Sequence, residues 1–246
     1  MGRLFKETKA LLAISVVTGL AIPALLMPHF SLKASVGMVL AVWVALSAIY
    51  GLFQRAFGQG LQWSRLRSVP RAFYGMTVAH FGVAVFITGI TLTSLYSIEK
   101  DVRMDLGEEM ELAGYTFRLD EIRRFKGPNF EADEGVVSVT LNGEAVAVLK
   151  PQKRIYRVQQ MPMTEAAIDA GLFRDLFFAL GEPLGSRGAW SVRVYYKPFV
   201  RWIWLGAVFM ALGGLIASSD KRYRMAVAQK QPSVAGDLEL STEPVK

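Results

Sequence analysis

The sequence predicts a membrane protein of four transmembrane α-helices, with a β-rich domain between the third and the fourth. Three observations carry that expectation. The 246-residue chain is 52% hydrophobic and 20% charged, with a mean hydropathy of +0.30, more apolar than a soluble globule usually is. Its apolar residues gather into four runs long enough to cross about 30 Å of hydrocarbon at about 1.5 Å per residue. The stretch between the third and fourth runs shows strand alternation and turn signals instead.

The first run, 10–27, follows Arg3, Lys6 and Lys9 as a secretory signal would. It exceeds the usual apolar core of about 7–15 residues, and a second run follows at once, so it reads as a retained helix. Pro23 is expected to kink it or end its regular hydrogen bonding. The second run covers 34–53, the third 73–95 and the fourth 199–218. Basic residues stand before the first run, between the second and third (Arg55, Arg65, Arg67, Arg71) and after the fourth (Lys221, Arg222, Arg224), whereas the short 28–33 turn holds Lys33 alone. By the positive-inside rule both termini are cytoplasmic and 97–197 lies on the other side, the periplasm of a cell with an inner membrane. That segment holds 14 Lys and Arg against 16 Asp and Glu, a balance of −2, while the rest of the chain carries +9. The basic pI near 9.7 is thus a topology signal, and no basic stripe with interleaved aromatics points to nucleic acid.

Within 97–197, the strands 136–141 and 144–149 flank Asn142-Gly143, a pair suited to a type I′ hairpin turn. Tyr115, Phe117 and Leu119 alternate on one face, Leu176, Phe178 and Leu180 on a second, and Val192, Val194 and Tyr196 on a third. The 173–180 strand has a helix as its alternative, and 164–170 has an alternative reading as the start of a short helix, capped by Thr164 and favoured by its alanines. A sandwich or barrel is expected. The division is then 1–96 for helices one to three with their cytoplasmic loop, 97–197 for the β domain, 198–218 for the last helix, and 219–246 for a largely disordered tail.

Zero cysteines exclude disulfides, iron–sulfur clusters, thiolate zinc sites and cysteine nucleophiles. No P-loop, dinucleotide fingerprint, nucleophile elbow or zinc-protease motif is present. Glu108-Glu109 and Asp133-Glu134 read as solvated surface, and Arg201 beside Trp202 and Trp204 as a snorkelling cation in an aromatic belt. Two histidines remain, His29 and His80. His80 falls about seven residues, roughly 10 Å, into the third run, where an ionisable group is rare and usually functional. There it can ligate a metal or haem iron, relay a proton, or bond a neighbouring helix. The small residues Gly75, Ala79, Gly82, Ala84 and Gly89 offer a flat surface to a close helix or a planar ring, the helix being the commoner use. His29 stands at the outer mouth of the first run, about 20 Å away in depth from His80, so the two cannot share one metal.

The stretches GMTVAHFGVAVFITGITLTSLYS (75–97), MPMTEAAIDAGLFRDLFFALGEPL (161–184) and AWSVRVYYKPFVRWIWLGAVFMALGGLIASSDKRYR (189–224) resemble the C-terminal part of the CcmF family of cytochrome c-type biogenesis proteins. The resemblance spans about 1–224. It implies the membrane haem lyase subunit that joins haem vinyl groups to the Cys-x-x-Cys-His thiols of an apocytochrome. It further implies a haem b inside the membrane, held by two histidines and reducing incoming haem with electrons from quinol. The family's C-terminal membrane histidine sits in an Ala-His-Phe/Leu-Gly context, which carries the axial-ligand role, and with it contact to the haem iron, onto His80. The tryptophan-rich haem-handling motif, its flanking histidines and the other membrane histidine are missing, and Trp43, Trp63, Trp190, Trp202 and Trp204 form no such cluster. No catalytic residue is therefore assigned here. The expected partners are an N-terminal haem lyase portion that supplies the second histidine, a haem chaperone, apocytochrome c and quinol. The chain reads as a split-gene product or a fragment, and a branch serving nitrite-reductase cytochromes stays open. The rival reading is a non-catalytic membrane scaffold whose periplasmic domain docks maturation partners while His80 is merely packed.

Overall fold

The computed structural model describes residues 2–57, 69–158, 160–185 and 188–220. The predicted disordered tail beyond residue 220 and most of the loop between the second and third helices, with Arg65 and Arg67, lie outside them. Four helices form: α1 (Gly2–Leu26), α2 (Leu32–Phe57), α3 (Arg71–Tyr96) and α4 (Val200–Ser218). All four are long and apolar enough to span a membrane, since a backbone in hydrocarbon must satisfy its polar groups internally and these runs offer no competing partner. Helix α1 continues through Pro23 and ends three residues later. The helices pack in sequence order, α1 on α2, α2 on α3, α3 on α4.

Ten strands fill the interval between α3 and α4: β1 (Ile98–Met104), β2 (Glu109–Leu112), β3 (Tyr115–Lys126), β4 (Phe130–Leu141), β5 (Glu144–Leu149), β6 (Gln152–Tyr156), β7 (Pro162–Glu165), β8 (Ala167–Ala170), β9 (Arg174–Leu184) and β10 (Ala189–Pro198). They make two antiparallel sheets, one ordered β1-β10-β9-β8 and the other β2-β3-β4-β6-β7, with β5 on the far half of β4. Each strand turns alternate residues inward. Phe117, Leu119, Val137, Val139, Leu176, Phe178, Leu180, Val192 and Val194 accordingly build one shared core between the sheets. The three alternating sets named from sequence all supply residues to it. The β4–β5 turn has Asn142 at φ 52° and Gly143 at φ 84°, the pair of positive φ values that a type I′ turn requires.

One local reading is corrected. The alternative helix at 164–170 does not form: Ala167 pairs with Phe178 and Ala170 with Asp175 across β8 and β9. Thr164 caps nothing and donates its hydroxyl to the Leu180 carbonyl at 3.2 Å. Alanine's helix preference of a few tenths of a kcal/mol per residue yields to closing the sheet over the core.

Membrane and β domain meet with almost no linker. Ser97 alone separates α3 from β1, and Phe199 alone separates β10 from α4. Phe199 takes a left-handed turn, φ 57°, that redirects the strand into the helix. Its N–H donates to Phe173 at 2.9 Å, and Thr93 donates to the Pro198 carbonyl at 2.6 Å.

Candidate functional site

The stripe of small residues on α3 is occupied by a helix. Gly75, Gly82 and Gly89 lie against Gly213, Gly206 and Ile203 of α4. A Cβ at Gly82 would stand 2.7 Å from the Met210 nitrogen and 2.8 Å from the Gly206 carbonyl, and one at Gly213 would stand 2.5 Å from the Gly75 carbonyl. The two backbones touch, as small residues at seven-residue spacing allow. The partner glycines on α4 were not singled out from sequence, although Gly206 and Gly213 carry the same spacing.

That contact fixes where His80 points. At about 100° per residue, His80 lies roughly 200° around α3 from Gly82, on the side away from α4. It is exposed there, together with Met76, which is 40% exposed one turn earlier. Its Nδ1 lies 2.8 Å from the Met76 carbonyl. A carbonyl only accepts, so Nδ1 is the donor in this contact and Nε2 is the ring nitrogen available to another partner. Among the described residues no bond from His80 to a neighbouring helix is found.

His29 occupies the other end of the bundle. Its ring packs on Tyr96, with centroids 4.9 Å apart, and its carbonyl accepts from the Tyr96 hydroxyl at 3.1 Å. Sixteen residues of α3 separate Tyr96 from His80, about 24 Å along the helix axis. Among the described residues, no three His, Asp or Glu side chains converge as a metal site. What His80 offers is a single imidazole oriented through a hydrogen bond at one of its two nitrogens.

In the β domain, Arg174 ties the two sheets. It donates from Nε to the Tyr115 hydroxyl at 3.1 Å and pairs with the Asp169 carboxylate. Burial acts to lower its pKa, but the bonds to Asp169 and Tyr115 outweigh it and the net shift is upward. Burial pushes the nearby Tyr196 hydroxyl up. On the outer face of the four-stranded sheet Arg193 grips Asp101 at 2.6 and 2.7 Å, which holds that carboxyl below the usual range. Arg201, read from sequence as a snorkelling cation, also lies 3.9 Å from Asp175 of β9, a partner that only the fold supplies. Glu108 accepts from the Asp105 N–H and Glu134 from Gln152.

Comparison with known proteins agrees with this architecture. Residues 95–198 match the family model described as the CcmF C-terminal beta-sandwich. The chain is 45% identical over 224 residues to a cytochrome c-type biogenesis protein CcmF of Pseudomonas fluorescens, covering 91% of this chain and 33% of that one. It is 40% identical over 230 residues to CcmF of Escherichia coli (strain K12), covering 92% and 34%. A cytochrome c-type biogenesis protein NrfE of Haemophilus influenzae is 32% identical over 189 residues, covering 77% and 28%. A solved structure titled Cytochrome c Heme Lyase CcmF shares the fold with a TM-score of 0.66 at 22% identity, over 83% of this chain and 34% of that one. The chain spans about a third of the length of these relatives. With four apolar helices, a β-sandwich between the third and fourth, and these matches, the chain belongs to the CcmF family as its C-terminal portion.

Proposed function

We propose that this chain is the C-terminal part of a cytochrome c haem lyase and that His80 Nε2 supplies one axial ligand to a haem b in the membrane. The observation that carries the reading is the exposed imidazole of His80 within a membrane span, its Nδ1 engaged by the Met76 carbonyl so that Nε2 is the nitrogen available to a ligand. A lone imidazole exposed in a membrane span is costly, so we read His80 as covered in the assembled protein by a group that its free nitrogen can bind. His29 is too far to do so, and the second histidine therefore comes from the N-terminal portion that this chain lacks. When bound, haem b supplies one-electron chemistry. The chain's own contribution is to hold the imidazole at a fixed depth and in a fixed tautomer. In this reading the β domain is periplasmic, both termini are cytoplasmic, and apocytochrome c, a haem chaperone and quinol meet the assembled lyase.

The test is the reduced-minus-oxidised spectrum of the complex purified with the N-terminal portion, normalised to protein. His80→Ala is expected to lose most or all haem b while inserting normally. His80→Cys should keep some haem with a shifted spectrum, because thiolate ligates but alters the iron's electronics. His29→Ala should be nearly silent. Undiminished haem in His80→Ala would remove the assignment and favour the docking scaffold. For orientation, a reporter fused after Lys150 should be active only outside the cytoplasm, and cytoplasmic activity would invert the topology.

A further inference from the structure

Where α4 leaves the bundle, the β8–β9 turn overhangs the helix and leaves a wedge of about 510 Å3. Its walls include Leu172 and Asp175 from the β domain and Arg201, Trp204, Leu205 and Val208 from α4. Three features at this place are not explained by the protein's own packing. Leu172 is 54% exposed, and Phe173 keeps 57% of its surface exposed even with its ring 5.9 Å from Phe199 and 6.3 Å from Trp202. That turn is not free to fold them away, since Gly171 N–H donates to the Arg174 carbonyl at 2.8 Å and Phe173 accepts from Phe199 N–H at 2.9 Å. The helix face below the wedge is also open and apolar: Trp204, Val208, Leu212 and Leu215 are 72%, 52%, 46% and 66% exposed.

The third feature is the cation. Arg201 is 53% exposed and reaches Asp175 only at 3.9 Å, so most of its five N–H donors are unused. Asp175 is itself 16% exposed and accepts from Gly171 N–H at 3.2 Å. It steadies one edge of the guanidinium and leaves the other facing the wedge. The nearby Lys197 does not compete, because its ammonium lies over the rings of Tyr195 and Phe177 at 4.6 and 5.8 Å. A guanidinium at the end of a membrane span, beside an exposed tryptophan and above an apolar trench, matches a molecule with a phosphate at one end and hydrocarbon at the other. From Arg201 to Val208 the trench runs about 10 Å along the helix, enough for the upper part of an acyl chain.

We infer that this wedge binds an anionic phospholipid of the leaflet adjoining the β domain, its phosphate on Arg201 and an acyl chain along Trp204, Leu205 and Val208. The exposed Leu172 and Phe173 then sit in the same interfacial layer and fix the depth of the β domain. The inference is independent of any haem ligation.

The full chain would be reconstituted in phosphatidylcholine nanodiscs doped with phosphatidylglycerol, transferred to mild detergent, and the lipid retained on it counted by native mass spectrometry. Wild type is expected to keep a single phosphatidylglycerol in preference to phosphatidylcholine. Arg201→Ala should lower that retention roughly fivefold or more, and Arg201→Lys should keep part of it, since the charge survives but the paired donors do not. Val208→Trp, which fills the trench and spares the cation, should also lower it, with circular dichroism confirming unchanged helix and sheet content in every variant. Equal retention by wild type and Arg201→Ala, equal retention of both lipids, or no retained lipid on wild type would each overturn the proposal.

Discussion

At His80 a single hydrogen bond decides what the residue offers. Nδ1 donates to the Met76 carbonyl, and Nε2 is the nitrogen left for another partner. The same economy of donors governs Asp120, which accepts from Ser138 at 2.5 Å and from Arg118 at 2.7 Å. Partial burial works to raise its pKa, yet the bonds from Ser138 and Arg118 prevail and hold the carboxyl below its ordinary value. The folded chain thus releases this proton more readily than the unfolded one. Its contribution to stability is complete above the unfolded carboxylate pKa of about 3.9 and is lost as pH falls through the lower folded value. Asp120→Asn should therefore cost about 1–2 kcal/mol near neutral pH. In denaturant titrations the gap from wild type should close on acidification; a constant gap would show that the charge is not what matters.

Among elements, the α3–α4 pair is held by absence of side chains. Gly82 and Gly206 each bring their backbone against the other helix, with less than 3 Å available for a Cβ. Neither backbone can yield without separating the helices. Gly82→Val or Gly206→Val should cost more than the about 1–3 kcal/mol of ordinary overpacking, seen as a marked fall in thermal stability in detergent. Gly214, next to Gly213 but with nothing within 4 Å of a would-be Cβ, supplies the control. Gly214→Ala should be neutral or slightly stabilising, because alanine is the better helix former by about 1 kcal/mol. Equal effects at Gly82 and Gly214 would mean that the helices do not pack as described. Strand β8 makes the converse point: its alanines prefer helix, and only the neighbouring Phe178 and Asp175 on β9 settle it as strand.

For the molecule as a whole, the sandwich carries its own core. The buried cluster that runs from Met104 to Val194 draws on both sheets and on no helix. The isolated 97–197 segment should consequently fold without haem and give a β-type circular dichroism spectrum; a helical spectrum, or stoichiometric haem binding, would refute this. Arg174→Ala in the full chain removes the bond between the sheets at Tyr115 and leaves Asp169 without its guanidinium. It should destabilise the domain by about 2 kcal/mol while the haem content of the assembled lyase stays unchanged, since the change lies outside the membrane helices.

The sequence by itself determined the four spans, the place of the β domain between the third and fourth, the Asn142-Gly143 turn and the position of His80 along the third span. Each of these rests on a local period, a local backbone preference or a count of residues along one helix. The alternating sets around Phe117, Phe178 and Val194 were legible for the same reason, because burial on one face of a strand repeats every second residue. The sequence could not say which object would occupy the glycine stripe, because a helix and a planar ring ask for the same flat surface. The tertiary structure decided it: α4 fills that stripe, and His80 is thereby left exposed on the side away from α4. The strand at 167–170, the Arg174 tie between the sheets and the Arg201–Asp175 contact likewise depend on residues brought together across sequence gaps, a matter of pairing and packing that no local pattern encodes.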